Sequence, residues 1–454
     1  MPFSSINPTT GELLATYPAH GASEIERRLE LASEAFSSYR HTSFEQRCEW
    51  MTTAAGLLEA ELPDIARVMT LEMGKTFAAA KGEVAKCAMT MRWFAANAQA
   101  MLANKNIETS AKESFVRFEP LGPVLAIMPW NFPLWQVTRF LAPALMAGNV
   151  ALLKHAPNVP QTALLIENLL KRSGYPDGVF TNLFVETNDI DRVIADSRVA
   201  AVTLTGSENA GSSVAALAGA SLKKCVLELG GSDPFIVLDS AKLDLTVRSA
   251  VEARCQNNGQ SCIAAKRFIV TESVSDSFID AFSDAMAKVV MGDPFDPRTD
   301  IGPIVSSSQR DKLAAQVDDA REKGAHIYCG GQVPNSRGWY YPATLIGDVK
   351  PNMRVASEEV FGPVAVVEKV RDIDEAVQVA NSTQYGLGSS CWTSDPDEQE
   401  YCIEKLQAGS VFINSIVASS PQMPFGGIKR SGYGRELSEL GIKEFCNAKS
   451  VWIA

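Results

Sequence analysis

The spacing of apolar residues predicts helices in the first part of the chain. Apolar side chains recur every three or four positions from Ile25 to Phe36, with charged residues between them. This periodicity predicts an amphipathic helix that begins after Ser23. The same pattern predicts helices over 44–62 and 65–93. We therefore expect the N-terminal quarter to be rich in helices.

Short apolar runs then alternate with helical stretches. A strand-like alternation of apolar and polar residues covers 114–119. The further predicted strands are 124–128, 150–153, 179–184, 199–204, 234–238, 268–270 and 364–367. The predicted helices between them are 161–172, 189–196, 243–255 and 274–290. Strands that alternate with helices are typical of parallel sheets covered by helices. The pattern therefore predicts an α/β fold with two domains whose sheets are mainly parallel.

Composition narrows the class of protein. A chain of 454 residues with 46% hydrophobic content can form more than one packed core. The formal net charge of -11 gives no electrostatic reason to expect a nucleic-acid or membrane partner. The first residues lack the pattern of a secretory signal, and the apolar stretches are too short to span a bilayer. We expect a cytoplasmic protein.

One of the nine cysteines has a distinctive setting. The cysteines are odd in number and lack metal-ligand spacing, so we expect most of them to be reduced and predict no metal site. Cys262 ends the segment NGQSC, in which Gly259 permits a tight turn and amide groups can face the sulfur. Such a setting favours the reactive thiolate, although a buried structural cysteine is the ordinary alternative.

Two polar side chains stand at the ends of apolar runs. Glu228 precedes Gly230 and Gly231, which permit close approach of a ligand. A carboxylate held towards an apolar interior can act as a general base, or Glu228 is an ordinary strand-end residue. Asn131 follows an apolar run in the segment WNFP, at the start of a predicted helix. Its amide can donate to an oxyanion, cap the helix, or do both.

Six motifs resemble those of the aldehyde dehydrogenase superfamily, in the same order and across nearly the whole chain. They are WNFP at 130–133, TGS at 205–207, ELGG at 228–231, GQSC at 259–262, EEVFGP at 358–363 and PFGG at 424–427. Within the superfamily, the runs MPWNFPLWQVTRF, LKHAPNVP and CVLELGGSDPFIV are most similar to bacterial succinate-semialdehyde dehydrogenases.

The resemblance implies an aldehyde-dehydrogenase-like α/β fold with three parts. A Rossmann-like NAD(P)-binding domain would cover 1–227 except 108–123, and a catalytic domain with the nucleophilic cysteine would cover 228–418. A small β oligomerisation element would consist of 108–123 and 434–454. Segment 114–119 and the C-terminal SVWIA resemble the family's oligomerisation hairpin and closing strand, which pair with a neighbouring subunit. A homodimer or a dimer of dimers is therefore expected.

The activity implied by the resemblance is the oxidation of succinate semialdehyde to succinate. Cys262 would attack the aldehyde, and the Asn131 amide and the backbone N–H of Cys262 would hold the oxyanion of the thiohemiacetal. After hydride transfer, Glu228 would activate the water that hydrolyses the thioester.

Four alternatives to this activity remain. The first is oxidation of another small aldehyde. The second is acyl transfer to CoA, against which Glu228 argues. The third is a cofactor-free hydrolase, which leaves TGS and EEVFGP unexplained. The fourth is a non-catalytic dinucleotide-binding protein, against which the presence of Cys262, Glu228 and Asn131 argues.

The resemblance also implies a cofactor site, although no GxGxxG follows the first βα strand. Gly206 and Ser207 would meet the pyrophosphate at a helix N-terminus. The other implied contacts are Trp130, Lys154, His155, Pro157, Glu359 and Phe361. Pro157 stands where NAD-preferring members carry a glutamate, so nothing repels a 2'-phosphate, and Lys154 with His155 would favour it. We expect NADP to be accepted, alongside NAD.

Arg139 is the implied partner of a substrate carboxylate. It follows Asn131 and Trp135 at successive i+4 steps, so the three side chains share one helix face that can line the substrate tunnel. Ser419 and Ser420, just before PFGG, would assist in substrate binding. The alternative for Arg139 is a surface or interdomain position.

Overall fold

The computed structural model describes residues 3–454. Its strands in chain order are β1 (Phe3–Ile6), β2 (Leu13–Tyr17), β3 (Lys105–Asn106), β4 (Glu113–Pro120), β5 (Pro123–Met128), β6 (Val150–His155), β7 (Phe180–Asn182), β8 (Ala201–Thr205), β9 (Lys224–Glu228), β10 (Pro234–Val237), β11 (Arg267–Thr271), β12 (His326–Cys329), β13 (Thr344–Gly347), β14 (Val364–Val370), β15 (Gly388–Trp392), β16 (Ser410–Ile413), β17 (Gly432–Tyr433) and β18 (Cys446–Ile453). Its α-helices are α1 (Ala22–Tyr39), α2 (Phe44–Ala60), α3 (Leu62–Met73), α4 (Phe77–Met101), α5 (Trp135–Ala147), α6 (Pro160–Arg172), α7 (Ile190–Ala195), α8 (Glu208–Ala220), α9 (Leu243–Cys255), α10 (Glu272–Ala287), α11 (Ser307–Glu322), α12 (Arg354–Ser357), α13 (Ile373–Asn381), α14 (Pro396–Lys405) and α15 (Ser438–Glu444).

Two large sheets organise the fold. The first has the order β17-β9-β8-β5-β6-β7, with β17 antiparallel to β9 and the other pairs parallel. The second has the order β12-β13-β14-β11-β10-β15-β16, with β12 antiparallel to β13 and the other pairs parallel. The prediction of an α/β fold with mainly parallel sheets is confirmed.

The chain passes from the first sheet to the second within a few residues. Strand β9 ends at Glu228 and β10 begins at Pro234. The carboxyl end of β9 therefore lies where the chain leaves the first sheet. Ligands of open α/β sheets bind at the carboxyl ends of the strands.

Helix α5 is buried on every side. All thirteen of its residues, Trp135–Ala147, are buried, as expected of a helix with apolar residues around most of its circumference. It follows β5 and packs against α4, so polar side chains on these two helices face each other inside the protein. In residues 3–454, no helix is long and apolar enough to cross a membrane.

The single helix predicted over 65–93 is wrong, because two helices occupy this region. Gly74, with φ +82°, ends α3 in a left-handed conformation. The Thr76 side chain then accepts a hydrogen bond from the backbone N–H of Ala79 and caps α4. A Cβ at position 74 would lie 2.9 Å from Pro303, so the break also allows close packing.

A small third sheet has the order β18-β4-β3. Strand β18 pairs antiparallel with β4 along its whole length, from Cys446↔Pro120 to Ile453↔Glu113. Strand β18 lies at the edge of this sheet, so the expected pairing of the C-terminal strand with a neighbouring subunit stays a prediction. Trp452 on this strand is 60% exposed.

Candidate active site

Cys262 lies between two cavities, each about 190 Å³ in volume. The first, which we call the TGS cavity, is lined by Trp130, Asn131, Gly206, Ser207, Glu359 and Phe361, among others. The second, which we call the α4/α5 cavity, is lined by Glu83, Lys86, Trp135, Arg139, Ser419 and Phe425, among others. Because Cys262 lines both cavities, molecules bound in the two cavities can meet at this residue.

Two asparagines hold the loop that carries Cys262. Asn257 and Asn258 adopt left-handed backbone angles, with φ of 53° and 58°, which asparagine tolerates better than most residues. The Asn257 amide donates to the carbonyl oxygens of Asn131 (2.8 Å) and Gln260 (3.0 Å). The Asn258 amide donates to the carbonyl of Gly74 at 2.9 Å. The break between α3 and α4 thus supplies an anchor for this loop.

Lys266 fixes the same loop from the other side. Its ammonium donates to the carbonyl oxygens of Cys262 (2.8 Å) and Ala264 (3.2 Å), and lies 3.8 Å from the Glu359 carboxylate. The side chain is 2% exposed. Lys266 therefore connects the cysteine to the EEVFGP segment, a role that sequence reasoning missed.

The thiol of Cys262 is protonated at neutral pH in this environment. Burial raises its pKa to about 12, although the positive charges of Arg139 and Lys266 oppose the rise. A thiolate is the nucleophilic form of cysteine. The thiol therefore needs a base, or an additional positive charge nearby, before it can attack a carbonyl carbon.

Asn131 has donor capacity that faces the TGS cavity. Its Nδ2 donates one hydrogen bond to the carbonyl of Gln260 at 3.1 Å, which leaves its second amide hydrogen for another acceptor. Its Oδ1 has no partner within residues 3–454. An amide that is held in place beside a nucleophilic sulfur can stabilise an oxyanion.

Glu228 is a buried carboxyl group without a hydrogen-bond partner in the described part of the chain. Burial raises its pKa well above the usual range, and the nearby Glu436 carboxylate adds to this rise while Arg139 opposes it. Gly426 leaves space for the group, because a Cβ there would lie 2.8 Å from Oε1 of Glu228. Such an uncompensated group costs stability, and a raised pKa suits a general base that works near neutral pH.

Arg139 lines the α4/α5 cavity together with Trp135, and its charge is already paired. Asn131 precedes α5 and lines the TGS cavity instead, so the three residues do not share one helix face as the spacing had indicated. Its Nε forms an ion pair with the Glu436 carboxylate, and both side chains are almost completely buried. The guanidinium carbon lies 4.4 Å from the centre of the Phe425 ring. The expected contact of Arg139 with a substrate carboxylate, assisted by Ser419 or Ser420, stays a prediction, with Glu436 as an additional neighbour. Glu436 was not identified from the sequence.

Glycines bring the ELGG and EEVFGP motifs together. The Gly231 N–H donates to Oε1 of Glu359 at 3.1 Å, and a Cβ at Gly230 would lie 2.7 Å from Oε2 of the same carboxylate. The rings of Trp130 and Phe361 meet edge to face, with their centres 5.7 Å apart. Two segments that are distant in sequence thus form one wall of the TGS cavity.

Helix α8 begins at this cavity. Ser207 is its N-cap and accepts a hydrogen bond from the backbone N–H of Ala210 at 3.4 Å. Together with Gly206, it presents a helix N-terminus to the cavity, an arrangement suited to a phosphate group.

His155 does not contribute charge to this region, and the expectation that it helps to bind a phosphate needs correction. Burial lowers its pKa to about 4, so the ring is neutral at pH 7. Its Nε2 donates to the carbonyl of Pro133 at 2.8 Å, and its Nδ1 accepts from the N–H of Ala156 at 2.9 Å. Lys154 lies at the carboxyl end of β6, and Pro157 is exposed just beyond it.

The two serines before PFGG have different surroundings. Ser419 lines the α4/α5 cavity and accepts a hydrogen bond from Lys86 Nζ at 2.8 Å. The Ser420 hydroxyl donates instead to Gln422. Lys86 is a cavity residue that sequence reasoning missed, because its helix is far from every motif in the chain.

A cysteine between two cavities, a buried carboxyl group and a helix N-terminus are an arrangement that suits a cofactor-dependent oxidoreductase. The sequence model of the aldehyde dehydrogenase family matches residues 1–451, and the chain belongs to this family.

Relatives and solved structures agree with this assignment. The chain is 53% identical to proteins named succinate-semialdehyde dehydrogenase (NADP(+)) from Mycobacterium avium (strain 104) and, with the suffix 1, from Mycobacterium ulcerans (strain Agy99). Both matches cover 100% of this chain, and they cover 97% and 100% of those relatives. The crystal structure of succinic semialdehyde dehydrogenase from Streptococcus pyogenes in complex with NADP+ matches with a TM-score of 0.97 and 37% identity, over 99% of each chain.

Proposed function

We propose that this protein oxidises succinate semialdehyde to succinate with NADP as the oxidant, through a thioester on Cys262. The observation that carries the proposal is the position of Cys262 between two cavities, one with a helix N-terminus and the other with cationic side chains. The names of relatives that are 53% identical over the whole chain support the choice of substrate and cofactor.

The residues of the TGS cavity fit a nicotinamide dinucleotide. Gly206 and Ser207 offer backbone N–H groups at the start of α8 to a pyrophosphate. The Glu359 carboxylate can accept hydrogen bonds from ribose hydroxyls, and the missing Cβ of Gly230 leaves room beside it. When bound, the oxidised nicotinamide accepts the hydride that leaves the aldehyde carbon.

The side chains around Cys262 would carry the remaining chemistry. The Cys262 thiol would first give up its proton to water, the thiolate would then form a bond to the aldehyde carbon, and the second amide hydrogen of Asn131 would donate to the resulting oxyanion. Loss of the hydride converts this thiohemiacetal into a thioester. Glu228 then accepts a proton from water while the water oxygen attacks the thioester carbonyl. The carbon–sulfur bond breaks, and the acid and the free thiol are released.

The choice of NADP rests on the end of β6. Lys154 supplies a positive charge there, and Pro157 supplies no carboxylate that would repel a 2'-phosphate. The neutral His155 takes no part. The NAD(P)-binding and catalytic parts that we propose meet at the crossing between Glu228 and Pro234, beside the site.

A homodimer or a dimer of dimers is also proposed. Strand β18 is an edge strand of the third sheet and exposes Trp452 and Ile453, at 60% and 42%. Exposed apolar edge strands favour association, because their backbone groups and side chains are available to another chain. Sedimentation velocity should therefore give a multiple of the 49.0 kDa chain mass, and a purely monomeric protein would contradict this.

The proposed activity is tested by comparing succinate semialdehyde with butanal, which has the same chain length without the carboxylate. We expect kcat/KM to favour succinate semialdehyde by about two orders of magnitude, in keeping with a charged contact of about 2–3 kcal/mol. The Cys262→Ala variant, which lacks the proposed nucleophile, serves as the negative control in each assay. Equal values for the two aldehydes would contradict the substrate, and a preference for NAD would contradict the cofactor.

A further inference from the structure

Lys86 projects from α4 into the α4/α5 cavity. The cavity-lining residues Ala79, Glu83 and Lys86 are three or four positions apart, so they form one face of the helix. The ammonium of Lys86 donates to the Ser419 hydroxyl at 2.8 Å and lies 4.2 Å from the centre of the Trp135 ring. A lysine is thus held inside the cavity by a hydroxyl group and an aromatic face.

Arg139, the other cation that lines this cavity, and two buried lysines outside its lining have carboxylate partners. Arg139 pairs with Glu436, Lys75 with Glu83, and Lys266 lies 3.8 Å from Glu359. Glu83 is further occupied, because its Oε1 accepts hydrogen bonds from the backbone N–H groups of Leu134 and Trp135, each at 2.9 Å.

Lys86, by contrast, has no carboxylate within salt-bridge distance in the part of the chain that the structure describes. Its contacts with Ser419 and Trp135 are to a neutral hydroxyl and a neutral ring. Lys86 is half-buried, and a charge that is partly removed from water is costly unless it is paired, so this cavity can receive an anion from outside the chain.

We propose that Lys86, with Ser419, binds the carboxylate of the aldehyde substrate and so determines the preference for an ω-carboxylated aldehyde. This inference rests on the proposed function and names the residue that gives it specificity. The aldehyde end of the substrate would lie at Cys262, which lines the same cavity. Arg139, whose charge is neutralised by Glu436, would line the cavity between the carboxylate end and the aldehyde end of the substrate.

Several charged groups act on Lys86. Burial, and secondarily Arg139 on α5, lower its pKa to about 8, while Cys87 and Glu83 on its own helix oppose the fall. Ser419, on the segment after β16, and the Trp135 ring carry no charge. Lys86 in the free enzyme therefore loses its positive charge as the pH rises through about 8.

The test compares Lys86→Met and Lys86→Arg with wild type, using succinate semialdehyde and butanal. Methionine keeps most of the length of the side chain and removes the charge, whereas arginine keeps the charge. We expect Lys86→Met to raise KM for succinate semialdehyde by about tenfold or more, with a much smaller effect on kcat. We expect its kcat/KM for butanal to fall far less, and Lys86→Arg to recover most of the lost specificity.

Lys81→Met is the matched control, since Lys81 is an exposed lysine on the same helix. It should leave both substrates unaffected. A second readout is the ratio of kcat/KM values for the two aldehydes as a function of pH. In wild type this ratio should fall as the pH rises through about 8, and in Lys86→Met it should stay flat.

The outcomes separate this inference from the proposed function. If wild type prefers succinate semialdehyde and Lys86→Met keeps that preference, the inference is overturned and the proposed function stands. If wild type shows no preference, the proposed function fails and the inference fails with it. Equal loss of activity towards both aldehydes in Lys86→Met and Lys86→Arg would indicate a structural role and would also overturn the inference.

Discussion

The Arg139 guanidinium forms an ion pair with the Glu436 carboxylate, and the two side chains are 2% and 4% exposed. Both charges act on Glu228: Arg139 lowers its pKa and Glu436 raises it. The ion pair therefore sets the electrostatic environment of the carboxylate that we propose as the general base. The two residues of this ion pair belong to segments that are far apart in the sequence.

The first prediction concerns the pH dependence of kcat in two variants. Glu228 must lose its proton before it can accept one from water, so kcat should rise with pH through the pKa of this group. Glu436→Gln removes a negative neighbour, which lowers that pKa and shifts the rising limb towards lower pH. Arg139→Met removes a positive neighbour and should shift the limb towards higher pH.

The pH profile of kcat under saturating substrate checks this prediction. Because breaking a buried ion pair can cost about 3–5 kcal/mol, thermal denaturation should first establish that each variant is folded at the assay temperature. Shifts in the same direction in the two folded variants would contradict the proposed electrostatic control of Glu228.

The second prediction concerns the choice of cofactor. Pro157→Glu places a carboxylate near the end of β6, where it would repel a 2'-phosphate. We expect kcat/KM for NADP to fall by about tenfold or more, while the value for NAD falls less or rises. The backbone should tolerate the change, because Pro157 is exposed and its carbonyl still accepts the hydrogen bond from the N–H of Ser4.

The control for this variant is Ser37→Glu, which adds the same charge at an exposed position on α1. Steady-state kinetics with both cofactors should show no change in its preference. If Pro157→Glu also leaves the ratio of the two kcat/KM values unchanged, the site of the 2'-phosphate lies elsewhere.

The third prediction concerns the packing of the nucleophile loop. Gly259 has φ +73°, and a Cβ there would lie 2.2 Å from the backbone carbon of Gly362 in the EEVFGP motif. Gly259→Ala should therefore displace the loop, reduce activity strongly and destabilise the protein by about 2 kcal/mol or more.

Gly219→Ala provides the comparison, since this glycine is in α8 and nothing lies within 4 Å of its added Cβ. It should be neutral or slightly stabilising, because alanine has the higher helix propensity. Enzyme assays and thermal denaturation of both variants check the prediction, and normal activity of Gly259→Ala would refute the close packing.

Much of the fold follows from local sequence patterns. The apolar run at 124–128 corresponds to β5, and the helical periodicity at 243–255 corresponds to α9. Strands β5, β6, β7 and β8 of the first sheet were predictable because short apolar runs mark them, whereas β9 and β17 were not predicted as strands. The break at Gly74 was not predicted, because the helical pattern of apolar residues continues past this glycine. Its left-handed conformation is evident only in the structure, where Gly74 packs closely against Pro303.

Residues of the candidate site were predictable from the sequence only where they belong to a recognisable motif. Cys262, Glu228 and Asn131 stand in short segments with distinctive neighbours. Cys262 and Asn131 both line the TGS cavity, and the charge of Glu228 acts on the Cys262 thiol. Lys86 and Glu436 have no such context, because each acquires its place from a tertiary contact with a distant segment. Sequence spacing cannot distinguish a cavity lysine from a solvated one.

The central claim, a thioester on Cys262 that is hydrolysed with the help of Glu228, is tested most directly by mass spectrometry of Glu228→Gln. The variant should be mixed with NADP and succinate semialdehyde, quenched with acid, and compared with the Cys262→Ala/Glu228→Gln double variant. The account predicts that one succinyl group accumulates on Cys262 in the single variant, because the base for hydrolysis is absent, and that the double variant carries none. An unmodified Cys262 in a Glu228→Gln enzyme that still turns over at the wild-type rate would contradict it.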